Sequence, residues 1–199
     1  MSKVNLAVIY YSSTGTNHQL AKWAEEGAQE AGANVKVLRV PELAPDAAID
    51  GNPEWRKHYD ATQDVPVATS EDLEWADAII FSVPTRFGVM AAQMKQFLDT
   101  QGGLWATGKT VNKVVSAMSS AQNTHGGQEA TILSLYTAMF HWGAIVAAPG
   151  YADESMFASG GNPYGVSVTT GEPGLSEEVK VSAKFQAKRT VEVAEKMIK

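Results

Sequence analysis

The sequence contains no cysteine. Disulfides, thiolate metal sites, iron–sulfur ligation and a cysteine nucleophile are therefore excluded. A basic block is also missing: 16 Lys and Arg against 22 Asp and Glu leave a net charge of −6. That balance argues against a surface for DNA or RNA and against docking on anionic lipid. No apolar stretch approaches the ~20 residues needed to cross a bilayer, and no signal-peptide-like apolar region precedes the first strand-like run. The expectation is a cytoplasmic protein without nucleic-acid or membrane partners. Histidine is scarce, at four. His18 and His58 lack partners at ligand spacing, and His125 with Glu129 makes one helical pair, too little for a metal site. No metal is expected.

Hydrophobic residues make up 44% of the 199 and charged residues 19%, a globular balance that fits one domain over residues 1–199. Val4 to Tyr11 is a short apolar run suited to a strand buried on both faces. Leu20, Trp23, Ala24, Gly27, Ala28 and Ala31 then recur at helical spacing, with Gly32 as a stop. Val35 to Val40 predicts a second strand nearer the sheet edge. Pro41 to Thr69 carries no clear period and predicts a long excursion with a turn of helix around Trp55. Ser70 is the expected N-cap of a short helix that includes Leu73 and ends at Asp77.

Ala78 to Val83 predicts a third strand stopped by Pro84. Met90, Met94, Phe97 and Leu98 mark a helix closed by Gly102-Gly103. Lys113 to Met118 is the fourth strand, and Ser119 to Gly127 a polar loop. Ile132, Leu135, Tyr136, Met139 and Phe140 are expected to share one helical face. Ala144 to Ala148 is the fifth strand, and Tyr151 to Gly174 a second long loop. Leu175, Val179, Ala183, Ala187, Val191, Ala194 and Ile198 outline a terminal amphipathic helix. Strand–helix alternation five times over predicts an α/β protein with a doubly wound five-stranded parallel sheet, order 2-1-3-4-5, and helices on both faces. Ligands of such sheets sit outside the strand carboxyl ends at the switch point. Three loops are thereby singled out: Ser12 to Asn17, Pro84 to Met90 and Ser119 to Gly127.

Ser12, Ser13, Thr14, Gly15, Thr16 and Asn17 offer four hydroxyls, a carboxamide, a glycine and the free N–H groups of a helix start. A phosphate monoester needs such converging donors, and the helix dipole favours its charge. The alternative is an ordinary capped βα turn, since Ser, Thr and Asn are good N-caps. Gly103 to Thr110 matches the phosphate-binding string G-x-x-x-x-G-K-T at every position. That motif must run from strand to helix, whereas here a helix precedes and a strand follows. The segment is read as a surface turn.

Several motifs together resemble the WrbA family of flavodoxin-like NAD(P)H:quinone oxidoreductases, type IV. They are Tyr10-Tyr11-Ser12, Pro84-Thr85-Arg86-Phe87-Gly88, Gly102-Gly103-Leu104-Trp105, Ser119-Ser120, Gly126-Gly127-Gln128-Glu129 and Gly161 with Pro163-Tyr164-Gly165. The resemblance covers nearly the whole chain. It implies that Ser12 to Asn17 hold the phosphate of FMN and that Thr85, Arg86 and Phe87 border its isoalloxazine. It implies further that Ser120, Ala121, Gln122, Asn123, Thr124, His125 and Gly126 pass under the pyrimidine side. His141 would reach a flavin carbonyl across a subunit interface, and Trp105 would roof the substrate site from a neighbouring subunit. On residues alone, Arg86 is equally well a solvated loop arginine, Phe87 a loop anchor and His141 a core histidine. Two positions depart from the family pattern: Thr14 stands where an aromatic is usual, and Thr16 where histidine is frequent.

The implied function is two-electron transfer from NADH or NADPH through FMN to quinones by a ping-pong course. The alternatives are a one-electron carrier of the flavodoxin type and a flavin-binding regulatory module without turnover. The resemblance and the five Trp, several in loop-like segments, predict a homotetramer of D2 symmetry.

Overall fold

The computed structural model describes residues 3–171 and 175–198. The chain runs β1 (Asn5–Tyr10), α1 (Thr16–Glu30), β2 (Asn34–Arg39), α2 (Asp46–Asp50), α3 (Pro53–Ala61) and α4 (Ser70–Trp75). It continues with β3 (Ala78–Arg86), β4 (Val89–Met90), α5 (Ala92–Asp99), α6 (Gly102–Ala106), β5 (Val114–Ala121) and α7 (Gln128–His141). It closes with β6 (Ile145–Val146), α8 (Ser155–Ala158), β7 (Ser167–Thr169) and α9 (Glu177–Met197).

The sheet has the order β2-β1-β3-β5-β6, parallel throughout this path. This is the expected 2-1-3-4-5 arrangement with two additions, which bring the strands to seven. Antiparallel β4 pairs with the end of β3. The fifth position is split: β6 pairs with the start of β5 and β7 with its end.

Alternation along the central strands builds two cores. Ala7, Ile9, Tyr11, Ile79, Phe81, Val83, Val115 and Ala117 face the layer that includes Leu73, Met94, Ile132 and Leu135. Leu6, Val8, Tyr10, Ala78, Ile80, Val114 and Met118 face the layer of Leu20, Ala24, Ala183, Ala187 and Val191. Strands buried on both faces must be apolar at successive positions, which is why the runs at Val4, Ala78 and Lys113 were legible. In the second layer, Gly27 of α1 lies so close to α9 that a Cβ there would meet the Lys184 carbonyl at 2.4 Å.

Several expected boundaries move. Pro84 does not stop β3; it pairs with Ser120 within the strand. The Ser82 carbonyl accepts from Tyr11 N–H, so Ser82 and Pro84, two residues apart, turn their backbone groups toward β1, which has ended there. A missing N–H costs no ladder bond at that place. The N-cap of α4 is Thr69, not Ser70, in a reciprocal capping box with Asp72. The excursion holds two helices, and Asn52 caps the second by accepting from Glu54 and Trp55 N–H. Gly102 and Gly103 open α6 rather than only ending α5. Ser119 to Ala121 belong to β5, not to the loop. Phe140 is 65% exposed and leaves the buried face of α7. Leu175 and Ile198 are exposed and lie outside α9. The expected loop from Tyr151 contains α8 and β7; its last residues, 172–174, lie outside the described residues.

The split fifth position leaves the middle of β5 without a strand partner on the side away from β3, and side chains fill the gap. Gln186 of α9, fully buried, donates to the Ala117 carbonyl at 2.8 Å and to Ser116 Oγ at 2.7 Å. Its carbonyl oxygen accepts from Val166 N–H at 2.7 Å. From the other face, the Tyr136 hydroxyl donates to the Tyr164 carbonyl at 2.7 Å. Gly165 sits against this gap, where a Cβ would come within 1.9 Å of the Ala117 oxygen.

Candidate functional site

The turn after β1 enters α1 through Gly15, whose φ of 101° is left-handed and suits glycine. Its N–H donates to Ser12 Oγ at 3.0 Å, which folds the loop on itself. No side chain caps α1, and the first N–H to bond back is that of Gln19, to the Gly15 carbonyl. The N–H groups of Thr16, Asn17 and His18 therefore have no intrahelical acceptor. Ser12, Ser13, Gly15 and Thr16 are half-buried around them, and Thr14 is exposed. Asn17 behaves differently from its neighbours. Its buried carboxamide donates to Ser120 Oγ at 2.7 Å and accepts from Ser82 Oγ at 3.2 Å, so it ties α1 to β3 and β5.

β3 and β4 are joined through Phe87 and Gly88, both with positive φ, 53° and 83°. Positive φ is strained for a bulky residue such as phenylalanine. The Phe87 side chain is fully exposed, and Val89 beside it is half exposed. Arg86 donates to Ser13 Oγ at 3.3 Å and to the Thr85 carbonyl at 2.9 Å, joining this turn to the first loop. The third loop is joined as well. Thr131 Oγ1 donates to Thr85 Oγ1 at 2.7 Å, and a Cβ on Gly127 would stand 2.9 Å from Gly88 Cα.

Gly127, at φ 95°, is the N-cap of α7 and brings no capping side chain. The first backbone bond of α7 runs from Thr131 N–H to Gly127. A second uncapped helix N-terminus thus points at the region where the three loops meet. Of the remaining third-loop residues, Ser120 and Ala121 are buried, Gln122 to His125 are exposed, and Gly126 closes the turn onto Asn123. Thr124 and His125 line a cleft of about 480 Å³ shared with Asn162 and Thr169.

Trp105 and His141 are not brought to these loops. Trp105 Nε1 donates to the His141 carbonyl at 2.9 Å. Both sit beside the amino end of β5, where Asn112 N–H binds the Gly143 carbonyl and Thr110 Oγ1 the Trp142 carbonyl. From Val114 to Ser120 the strand rises roughly 20 Å at about 3.3 Å per residue. Both side chains are exposed. The G-x-x-x-x-G-K-T look-alike occupies the same amino end: Thr110 is buried, and Lys109 pairs with Glu74 at 2.7 Å.

Two features had no signal in the sequence. The first is Glu42, whose carboxylate accepts from Tyr11 Oη, Trp55 Nε1, Gln93 Nε2 and the N–H groups of Leu43 and Ala44. Burial works to raise its pKa, but these donors outweigh it and hold the carboxyl below its ordinary range. The same burial, with the Glu42 charge, pushes the Tyr11 phenol up. The second is a row of rings in which His18 stacks on Tyr10 at 4.9 Å and His58 of α3 meets His18 at 5.4 Å. Histidines without partners at sequence spacing are thus neighbours in space.

Among the described residues, no group of three or more potential ligands gathers for a metal ion, and no helix is long and apolar enough to cross a membrane.

A five-position parallel sheet in this order, with uncapped loops converging at its carboxyl ends, defines a flavodoxin-like α/β protein. Solved structures agree on the fold. A flavodoxin, WrbA-like protein from Agrobacterium tumefaciens superposes with a TM-score of 0.69 at 20% identity, covering 98% of this chain and 99% of that one. The two-electron reduced flavodoxin of Megasphaera elsdenii gives 0.60 at 14% identity, covering 94% and 98%.

Sequence comparison is more specific. Residues 4–156 match the NADPH-dependent FMN reductase family. The chain is 51% identical over 195 residues to an NAD(P)H dehydrogenase (quinone) of Deinococcus radiodurans, covering 98% of both. It is 42% identical over 201 residues to one of Brucella anthropi, again covering 98% of both. The chain belongs to the NADPH-dependent FMN reductase family, among relatives named NAD(P)H dehydrogenase (quinone).

Proposed function

We infer that this protein is an FMN-dependent NAD(P)H:quinone oxidoreductase. The observation that carries the reading is the meeting of two uncapped helix N-termini at loops joined by the Arg86–Ser13 contact. The full-length relatives named for NAD(P)H and quinone support the substrate pair. Ser12, Ser13, Thr14, Gly15, Thr16 and Asn17 hold the phosphate of FMN, chiefly through backbone N–H groups, because the Asn17 carboxamide is already engaged. Thr85, Arg86 and Phe87, with the stretch Ser120 to Gly126, would hold the isoalloxazine.

Bound FMN supplies hydride acceptance and two-electron delivery to a quinone. The protein supplies position and potential. Backbone donors of the Thr85–Gly88 turn and the positive end of α7 favour negative charge at the adjacent flavin edge. Arg86 adds a cation to the same edge. Nicotinamide and quinone would each need the same place beside these loops, so the two substrates would bind in turn, a ping-pong course. Trp105 and His141 lie at the far end of their own sheet. They serve a site only across an interface, in a homotetramer of D2 symmetry. The protein works in the cytoplasm as one domain.

The test is binding and reduction without oxygen. FMN is expected to bind more tightly than riboflavin, and NADH or NADPH to bleach the bound flavin rapidly by two electrons. Equal affinity for FMN and riboflavin overturns the phosphate loop. Tight FMN binding without bleaching by either nucleotide moves the protein to a carrier or regulatory role.

A further inference from the structure

His58 stands over the phosphate loop although it arrives from the excursion. A Cβ built on Gly15 would lie 3.5 Å from His58 Nδ1. The ring is half-buried between that glycine and His18, and neither imidazole is held by a hydrogen bond among the described residues. A small hollow beside it is bordered by His58, Ser12 and Tyr10. Tyr10 is only 2% exposed, and its hydroxyl has no partner. Polar groups near free helix N–H donors, themselves unpaired, mark a place built for an anion.

We propose that His58 is a binding residue for the FMN phosphate, carried to the loop by α3 and acting as an imidazolium donor. The proposal rests on the FMN reading above. With no anion present, the positive end of α1 and the loss of water both favour a neutral ring. A phosphate carries about −1.5 to −2 charge near neutral pH, which reverses that field and favours a proton on His58. The ionisable groups around the ring fit this balance. From α1, His18 meets the ring and adds positive potential, Lys22 acts on His18 in turn, and Arg39 of β2 lines the adjoining hollow. Tyr59 of α3 lines the same hollow, and the Tyr10 and Tyr11 phenols of β1 are pushed up by burial and stay neutral in this range. Of the anions, Asp64 acts on His18 and Glu42 lines the hollow, where it is already satisfied by five donors. A phosphate is the missing counter-charge.

The imidazole beside Gly15 is supplied by a separate helix, α3.

The experiment follows the His58 ring proton of the intact protein by NMR while pH is varied, with no flavin, with riboflavin and with FMN. Without flavin, and with riboflavin, the midpoint is expected near 4; with FMN it rises above about 6. In parallel, FMN and riboflavin affinities are measured for the unaltered protein and for His58→Gln. The substitution is expected to weaken FMN about tenfold or more near pH 6.5, the effect of losing a charge-assisted donor, and to leave riboflavin unchanged. The ratio of the two proteins' FMN affinities is expected to grow as pH falls from about 8 to 6, since ionisation of FMN itself cancels in that ratio. A midpoint that FMN does not move, or a ratio independent of pH, overturns the role of His58. FMN binding no tighter than riboflavin in the unaltered protein overturns the phosphate loop itself. The NMR arm needs no substitution, so a variant that fails to fold does not decide the matter.

Discussion

The phenol oxygen of Tyr136 accepts the backbone N–H of Ala117 at 3.1 Å, in the middle of a strand where a neighbouring strand would ordinarily stand. Gln186 takes the carbonyl of the same residue from the opposite layer. Side chains from α7 and α9 thus replace the rung lost where the fifth position divides into β6 and β7. Buried backbone groups left unpaired cost more than the bond itself.

Gln186→Leu keeps the volume roughly constant but strands the Ala117 carbonyl and the Val166 N–H. At roughly 1–3 kcal/mol for each orphaned group, the loss is about 2–6 kcal/mol. Tyr136→Phe strands one fully buried group, the Ala117 N–H, since Tyr164 is partly exposed, and is expected to cost about 1–3 kcal/mol. Urea unfolding of the flavin-free proteins measures both. A change under about 0.5 kcal/mol for Gln186→Leu, within the range of ordinary surface substitutions, contradicts this account.

Phe87 is held at positive φ with its ring fully exposed. Such strain costs of order 1–3 kcal/mol and persists where function requires it. Phe87→Gly is therefore expected to raise the melting temperature of the flavin-free protein and to weaken flavin binding. A variant that gains stability and binds FMN as before shows that the ring has no role at the site.

Stability should depend on pH through His58. Burial first, and His18 second, lower its folded pKa to about 4 against an unfolded value of about 6.5. Between these values the unfolded chain binds more protons, so stability rises with pH across the window and is lost as pH falls from about 6.5 to 4. His18 is shifted in the same direction, with burial the larger cause and Lys22 the next. Flavin-free protein is expected to melt at progressively lower temperature over that interval, and His58→Gln to flatten the profile. Identical profiles for the two proteins would remove His58 from the titration.

Trp105→Ala is expected to lower turnover with quinone while leaving the FMN affinity of an isolated subunit little changed, because Trp105 lies at the other end of its own sheet. Light scattering of the flavin-loaded protein should report four chains. Reciprocal rate plots at several fixed quinone concentrations should be parallel. A monomer that turns over at full rate refutes the shared site, and intersecting lines refute the ping-pong course.

The fold was largely legible because two-sided burial writes apolar runs into a strand: Val4 to Tyr11 and Ala78 to Val83 needed no tertiary information. The start of α1 was legible too, since hydroxyls and glycine after such a run have few other uses. Thr69 and Asp72 carried a capping box that a reading centred on Ser70 passed over, and Asn52-Pro53 signalled α3 inside a segment without period. Other features lay beyond reach. Gln186 occupies the buried face of an amphipathic helix and reads as a flaw in its apolar stripe; only the split of the fifth strand explains it. Nothing local to Asn17 says that its carboxamide turns inward to Ser82 and Ser120. His58 meets Gly15 through the path of a long excursion, which leaves no spacing to recognise.

The staple at Gln186 also bears on the order of events during synthesis. β6 and β7 flank a gap that Tyr136 of α7 closes from one layer and Gln186 of α9 from the other, and α9 packs on α1, far earlier in the chain, with Lys184 against Gly27. A nascent chain that has yet to extrude Gln186 from the ribosome has all the described strands but only α1 on that face of the sheet. It must wait with an open sheet face, so the last helix commits the domain, and chains broken off before it are substrates for chaperones and proteases rather than slower enzymes.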